Sequence, residues 1–244
     1  MTSVDLAVPE RALAIGAHPD DVEFGCGATL AKWAAAGCEI THLICTDGSK
    51  GTWDRGADLA NLVEARRLEQ QAANKALGGT GDVIFLGFVD GELTSGLAAR
   101  SLVAEWIRRT RPDVVLGHDP WKMYRFHPDH RHAGLLAVEG VVAARDPHFY
   151  PEHGLEEHRP ATVLLFEAEA ADHVEIVDEP AFDARIDALL AHESQLESTM
   201  EVDAASPEAV AQFDAFKERE RQKLQEMGAL VGASLGEAFK LLEP

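Results

Sequence analysis

A chain of 244 residues suits one large α/β domain, and 46% hydrophobic beside 26% charged residues supplies a core of useful size with nothing that demands disorder. A formal charge of -20, from 42 acidic against 22 basic side chains, repels phosphate backbones and excludes nucleic acid and anionic membranes as natural partners. Three cysteines without a CxxC pair (Cys26, Cys38, Cys45), no signal-peptide pattern at the start and no apolar stretch near the roughly 20 residues of a membrane span together predict a cytoplasmic protein.

Short apolar runs alternate with longer amphipathic ones. Residues 11–16 (RALAIG) predict a buried strand and residues 25–36 a helix. Residues 39–45 (EITHLIC) predict a second strand, and 59–77 a long charged helix stopped at Gly78-Gly79. A third strand over 82–86 and a helix over 97–109 follow. Pro112-Asp113 then introduces a fourth strand at 114–117 (VVLG), and 129–144 is again helical. Residues 146–160 are loop-like, with three prolines and three histidines. Beyond them, 162–167 (TVLLFE) and 173–177 predict strands, and 180–197 and 207–227 helices. The last helix is rich in Glu, Lys and Arg, which leaves open a solvated face or a contact in a homo-oligomer.

Strands separated by helices imply right-handed crossovers and a mostly parallel sheet with helices on both faces. Residues 1–244 are expected to form a single domain, with about 145–244 as a C-terminal extension of it. Ligands of such sheets bind at the carboxyl ends of strands, where the winding reverses. The segments after the first and fourth strands are therefore the places to inspect.

The first strand runs into Ala17-His18-Pro19-Asp20-Asp21, and the fourth leads through His118 and Trp121-Lys122-Met123-Tyr124 to His127-Pro128-Asp129-His130. Proline fixes its own φ and extends the residue before it, so each His-Pro-Asp forms a stiff turn that aims an imidazole and a carboxylate. Two imidazoles and a carboxylate with open positions compose a catalytic zinc site, and a second carboxylate beside the metal would serve as base. Asp20 and Asp21 supply such a pair, because adjacent side chains diverge. Asp129 reads as a cap for its helix. His118 could support a ligand from behind, whereas His132, His148, His153 and His158 have no assigned role.

These segments resemble the PIG-L/LmbE family, the group of GlcNAc-phosphatidylinositol de-N-acetylases, mycothiol- and bacillithiol-pathway deacetylases and related amidases. The resemblance rests on Ala17 to Asp21, Thr46-Asp47-Gly48 and His127 to His130, and covers about residues 12–140. Phe85-Leu86-Gly87-Phe88-Val89-Asp90-Gly91 and His192-Glu193-Ser194-Gln195 add further echoes. It implies a Rossmann-like domain and Zn2+ held by His18, Asp21 and His130. It also implies Asp20 as general base and His127 as the acid that stabilises the oxyanion and assists amine departure. Arg66 and Asp90 are implied as substrate contacts; a helix-surface ion pair of Arg66 with Glu64 or Glu69 is an equal alternative for the first. The implied reaction is hydrolysis of the amide of an N-acetylated amino sugar or sugar conjugate. Trp53, Trp121 and Tyr124 either stack on a sugar or simply pack their loops.

Competing readings are an amidase of a thiol-sugar conjugate, a non-haem Fe(II) oxygenase with the same donor types, and a metal-binding module without catalysis. The α/β alternation and the extra carboxylate of Asp20 argue against the oxygenase, and Asp20 argues against the silent module. A dinucleotide site is disfavoured because Leu30 stands where the third glycine after Gly25-Cys26-Gly27 belongs.

Overall fold

The computed structural model describes residues 2–244. In chain order the strands are β1 (Ser3–Val4), β2 (Arg11–Gly16), β3 (Glu39–Thr46), β4 (Val83–Phe88), β5 (Val114–His118), β6 (Thr162–Phe166), β7 (His173–Ile176) and β8 (Gly236–Leu242). The helices are α1 (Asp21–Ala35), α2 (Leu59–Ala76), α3 (Leu97–Thr110), α4 (Pro128–Arg145), α5 (Glu179–Leu190) and α6 (Ala209–Ala229). They build one mixed sheet of order β1-β7-β8-β6-β5-β2-β3-β4.

The expected α/β class holds, and β2 to β6 pair in parallel. Both faces are buried, as the continuous apolar strands require. Successive residues alternate between two cores: Ala12, Ala14, Val114, Leu116, Leu164 and Phe166 face one, while Leu13, Ile15, Val115, Val163 and Leu165 face the other. The first core also takes residues of α1, α5 and α6, and the second those of α3 and α4.

Three features depart from the sequence expectation. β1 and β8 are additional strands, and β8 runs antiparallel between β6 and β7, which ties the last residues into the sheet. The helix expected over 180–197 ends at Leu190, and a short 3-10 turn at Glu193–Gln195 follows. Helix α1 starts at Asp21 rather than residue 25 and bends at Cys26, whose φ is -153°. The bend frees the amides of Ala28 and Thr29, and the buried Glu237 of β8 accepts both, at 3.0 and 2.7 Å.

The centre of the sheet positions the site. β2 lies between β3 and β5, so the chain winds outward in one direction through β3 and β4 and in the other through β5 and β6. This is the reversal at which α/β sheets bind ligands. Ile15 pairs with Gly117, which places the turn after β2 beside the loop after β5.

Helix α4 can approach that point because of Gly134, where an added Cβ would lie 2.4 Å from the backbone oxygen of His118. Backbone on both sides cannot yield as a side-chain tip would. Gly134→Ala should therefore destabilise the fold by about 1–3 kcal/mol, the range for overpacking. Thermal melting checks this, with about 2–4 °C lost per kcal/mol for a chain of this size. An unchanged melting temperature would show that α4 can retreat freely from β5.

Candidate active site

His18 follows β2, and its backbone N–H donates to Asp21 Oδ2 at 2.7 Å. The turn is strained: Asp20, the N-cap of α1, has φ 99° and makes no side-chain cap bond. A left-handed non-glycine residue costs on the order of 1–3 kcal/mol and persists only where its surroundings hold it. Arg66 donates to the Pro19 carbonyl, and the side-chain oxygen of Gln70 accepts from the Asp20 amide at 2.9 Å. Two side chains of α2 thus clamp the turn.

Asp21 is the hub. Its carboxylate lies 3.3 Å from His18 Nδ1, 3.2 Å from His130 Nε2 and 3.2 Å from His118 Nε2. Burial would raise its proton affinity, but His130 and His118 outweigh this and hold the carboxyl well below its usual range. On the other side of His18, Nε2 lies 3.2 Å from Asp129 and 3.3 Å from Asp90. Burial alone would lower the His18 pKa, yet its bonds to Asp129, Asp21 and Asp90 push it up to about 12. An imidazole ringed by carboxylates attracts a proton or another cation.

Among the described residues, three donor sets lie within 4.8 Å of one another: His18, His127 and His130; Asp21, His118 and His130; and His18, Asp90 and Asp129. The expected trio of His18, Asp21 and His130 is spread across these sets, joined by the two short Asp21 contacts. The chemistry of the set fits a divalent cation. With a cation in place of one His18 proton, Asp129 would take the Nε2 proton and leave the Nδ1 lone pair on the side of Asp21; ligating histidines are commonly oriented this way. His118 offers a similar pairing through Glu167, 3.3 Å from its Nδ1. It is 1% exposed, however, while His18, Asp21 and His130 all line the cavity.

Asp129 corrects a sequence expectation. Its side chain does not cap α4; that place belongs to His127, whose Nδ1 accepts from the Asp129 amide at 3.3 Å. The Asp129 carboxylate instead accepts from the amides of Gly91 (2.6 Å) and Leu93 (3.3 Å) while holding His18. With Nδ1 of His127 an acceptor, its neutral ring carries the proton on Nε2. Desolvation, with the charges of His18 and His130, keeps this imidazole below its ordinary pKa, so the neutral form dominates.

Asp20 shares its carboxylate with one partner, Arg66 Nη2 at 3.3 Å. Burial raises its pKa; Arg66 opposes this, and Asp21 adds to it. Arg66 is 3% exposed, which overturns the helix-surface alternative: Glu64 pairs with Arg67, and Glu69 accepts from Ser194. Its two terminal nitrogens serve the chain itself, at Gly48, Pro19 and Asp20. Asp90 Oδ2 accepts from the Lys50 amide at 3.0 Å. Burial works against its ionisation, but His18 and that amide lower its pKa to about 2.

A cavity of about 1100 Å³ opens over the cluster. One wall carries His18, Asp20, Asp21, Arg66, Asp90, His127 and His130; α6 also lines the cavity through Phe216, Arg219, Lys223 and Met227. The aromatic loops do not pack inward: Trp53 is 81% and Tyr124 83% exposed, and Trp121 is exposed with them. His132, His153 and His158 bond to Ser95, Ser101 and Pro112 outside this wall.

Sequence reading missed the polar layer beneath Asp20. Glu23, His42, Gln70 and His192 are all 0% exposed. Glu23 follows Asp-Asp at a spacing of two, and His192 opens the His-Glu-Ser-Gln segment. Those were the signals available, and neither shows that the two meet.

Comparison with known proteins agrees with the motifs. The family description GlcNAc-PI de-N-acetylase (PIG-L) matches residues 13–141. A diacetylchitobiose deacetylase of Thermococcus kodakarensis is 35% identical over 190 residues, covering 76% of this chain and 70% of that protein. A 1D-myo-inositol 2-acetamido-2-deoxy-alpha-D-glucopyranoside deacetylase of Streptomyces avermitilis is 35% identical over 59% of this chain. The chain spans only 57% of that second relative. The structure of N,N'-diacetylchitobiose deacetylase from Pyrococcus horikoshii superposes with a TM-score of 0.83 at 27% identity, over 96% of this chain and 84% of that one. With more than half of its length matched by the family pattern and a relative 35% identical over 76% of it, the chain belongs to the PIG-L family of de-N-acetylases.

Proposed function

We propose that the chain hydrolyses the acetamide of an N-acetylated amino sugar or sugar conjugate, with zinc held by His18, Asp21 and His130. The observation that carries this reading is Asp21, which bridges His18 and His130 at 3.3 and 3.2 Å with the carboxylate of Asp20 beside it on the cavity wall. His118 is assigned to support Asp21 from behind, because a catalytic metal needs a position open to the cavity. Residues 2–244 are read as a single domain, since β8 completes the sheet from the C-terminal end.

Zinc in such a set supplies Lewis-acid polarisation of the amide carbonyl and acidifies a water. The chain's own groups handle the protons. Asp20, whose proton affinity is raised by burial, accepts a proton from the attacking water. Arg66 keeps that carboxylate ionised and fixed. His127 directs its Nε2–H at the developing oxyanion and so assists amine departure, while the leaving nitrogen takes the proton that Asp20 accepted from the water as the C–N bond breaks. Acetate and a free amine result. Asp90 presents a carboxylate to a sugar hydroxyl from the same wall.

The size of the cavity favours a glycoside or conjugate over a free monosaccharide. Hydrogen bonds to hydroxyls discriminate strongly, because an analogue lacking one leaves a buried polar group unpaired. Acetate should therefore be released from a GlcNAc-type glycoside faster than from free GlcNAc, and not at all after chelation, with activity returning on zinc addition. Quantifying free amine across N-acetyl sugars, sugar conjugates and acetyl esters checks this. Cleavage of esters alone would make the chain an esterase, and turnover of thiol-sugar conjugates alone would make it an amidase of that class.

A further inference from the structure

Behind Asp20 lies a buried polar layer that the reaction itself does not touch. Gln70 sits at its centre. Its side-chain oxygen accepts from the Asp20 amide at 2.9 Å, and its nitrogen donates to Glu23 Oε1 at 2.7 Å and faces His42 Nδ1 at 3.1 Å. Glu23 Oε2 lies 3.4 Å from His192 Nε2. The layer joins α1, α2, β3 and the turn after α5.

The orientation of the Gln70 amide is dictated by its partners. A backbone N–H can be met only by the oxygen, and a carboxylate only by the NH2 group. Reversing the amide would set a donor against the Asp20 amide and an oxygen against Glu23. Glu23, anchored by His192, therefore decides which atom Asp20 meets. The Asp20 backbone needs such a hold, because its φ of 99° is unfavourable for any residue but glycine.

We propose that Gln70 is a positioning residue for the catalytic carboxylate of Asp20, locked in its working orientation by the buried Glu23–His192 pair. The inference rests on the reading of Asp20 as the base, and it assigns a purpose to His192 and to Glu23. Without Gln70 the turn relaxes, and Asp20 moves away from the attacking water. A misplacement of about 1 Å can cost up to about 100-fold in rate.

Gln70→Met keeps the length of the side chain and removes both bonds. Its kcat should fall about 10- to 100-fold, with KM and bound metal near those of the parent. Hydrogen exchange in the metal-free protein gives a second readout: the Asp20 amide should exchange about tenfold faster once its acceptor is gone, as loss of a buried hydrogen bond predicts. The exchanged pair Glu23→Gln with Gln70→Glu restores an oxygen to the Asp20 amide and an amide–carboxylate contact beneath it. This double variant should recover most of the lost kcat and the slow exchange. An active Gln70→Met with unchanged Asp20 exchange overturns the proposal, as does a folded double variant that recovers neither. Asp20→Asn separates the two readings. If it keeps turnover, the base reading fails and the catalytic purpose of Gln70 with it; if it is inactive while Gln70→Met is fully active, only the positioning role fails.

Discussion

Asp20→Asn should reduce kcat by about 10²–10⁴-fold while the protein retains its metal, the range that loss of a general base produces. Asn preserves size and shape and can still meet Arg66 through its side-chain oxygen, so the packing of a site that is 6% exposed is undisturbed. It cannot take up a proton. Asp21, the neighbouring carboxylate, cannot substitute, because His130 and His118 hold it well below the usual carboxylate range and make it a poor base. The two acids therefore divide by environment: Asp21 is surrounded by imidazoles, whereas Asp20 is buried against a single guanidinium. Steady-state kinetics and elemental analysis on the same preparation check the expectation. Full turnover in Asp20→Asn would place the base elsewhere, and lost metal would make Asp20 a ligand.

The same division explains what the sequence disclosed. His18, Asp20, Asp21, His127 and His130 were legible because the two His-Pro-Asp turns are local signals and because β2 and β5, which deliver them, are plain apolar runs. Adjacent strand ends then followed from the topology of a parallel sheet. Asp129 was not legible in its actual role. An Asp at the start of a helix is locally satisfied as a cap, and only the fold shows that its carboxylate reaches back across 111 positions to His18. Arg66 lies on a helix rich in charge, and periodicity does not reveal that its guanidinium turns inward to the carbonyls of Gly48 and Pro19. The contact of Glu23 with His192 joins segments far apart in the sequence in the same way. β8 was hidden for another reason: Glu237 and Lys240 interrupt its apolar run, and Glu237 turns inward to meet the bent start of α1. Residue type and stiff turns were readable, and long-range pairing of buried polar groups was not.

Removing His18, Asp21 or His130 should lower metal affinity by at least about one to two orders of magnitude, the cost of losing even a supporting partner of a ligand. Asp21→Ala should be the most damaging, since it deprives three imidazoles of their shared carboxylate at once. His118→Ala is the informative comparison. It faces the same carboxylate at 3.2 Å and pairs with Glu167 as a ligand would, yet it is 1% exposed behind Asp21. A metal held by His118 instead of His130 would be closed off from the cavity and unable to act on a substrate. His118→Ala should thus weaken binding less than His130→Ala, with much of the activity returning when metal is supplied in excess. Metal titration of the purified variants, read by elemental analysis after dialysis, decides the order. Full occupancy in His130→Ala beside an empty His118→Ala would move the centre inward to His118 and end the proposed ligand set.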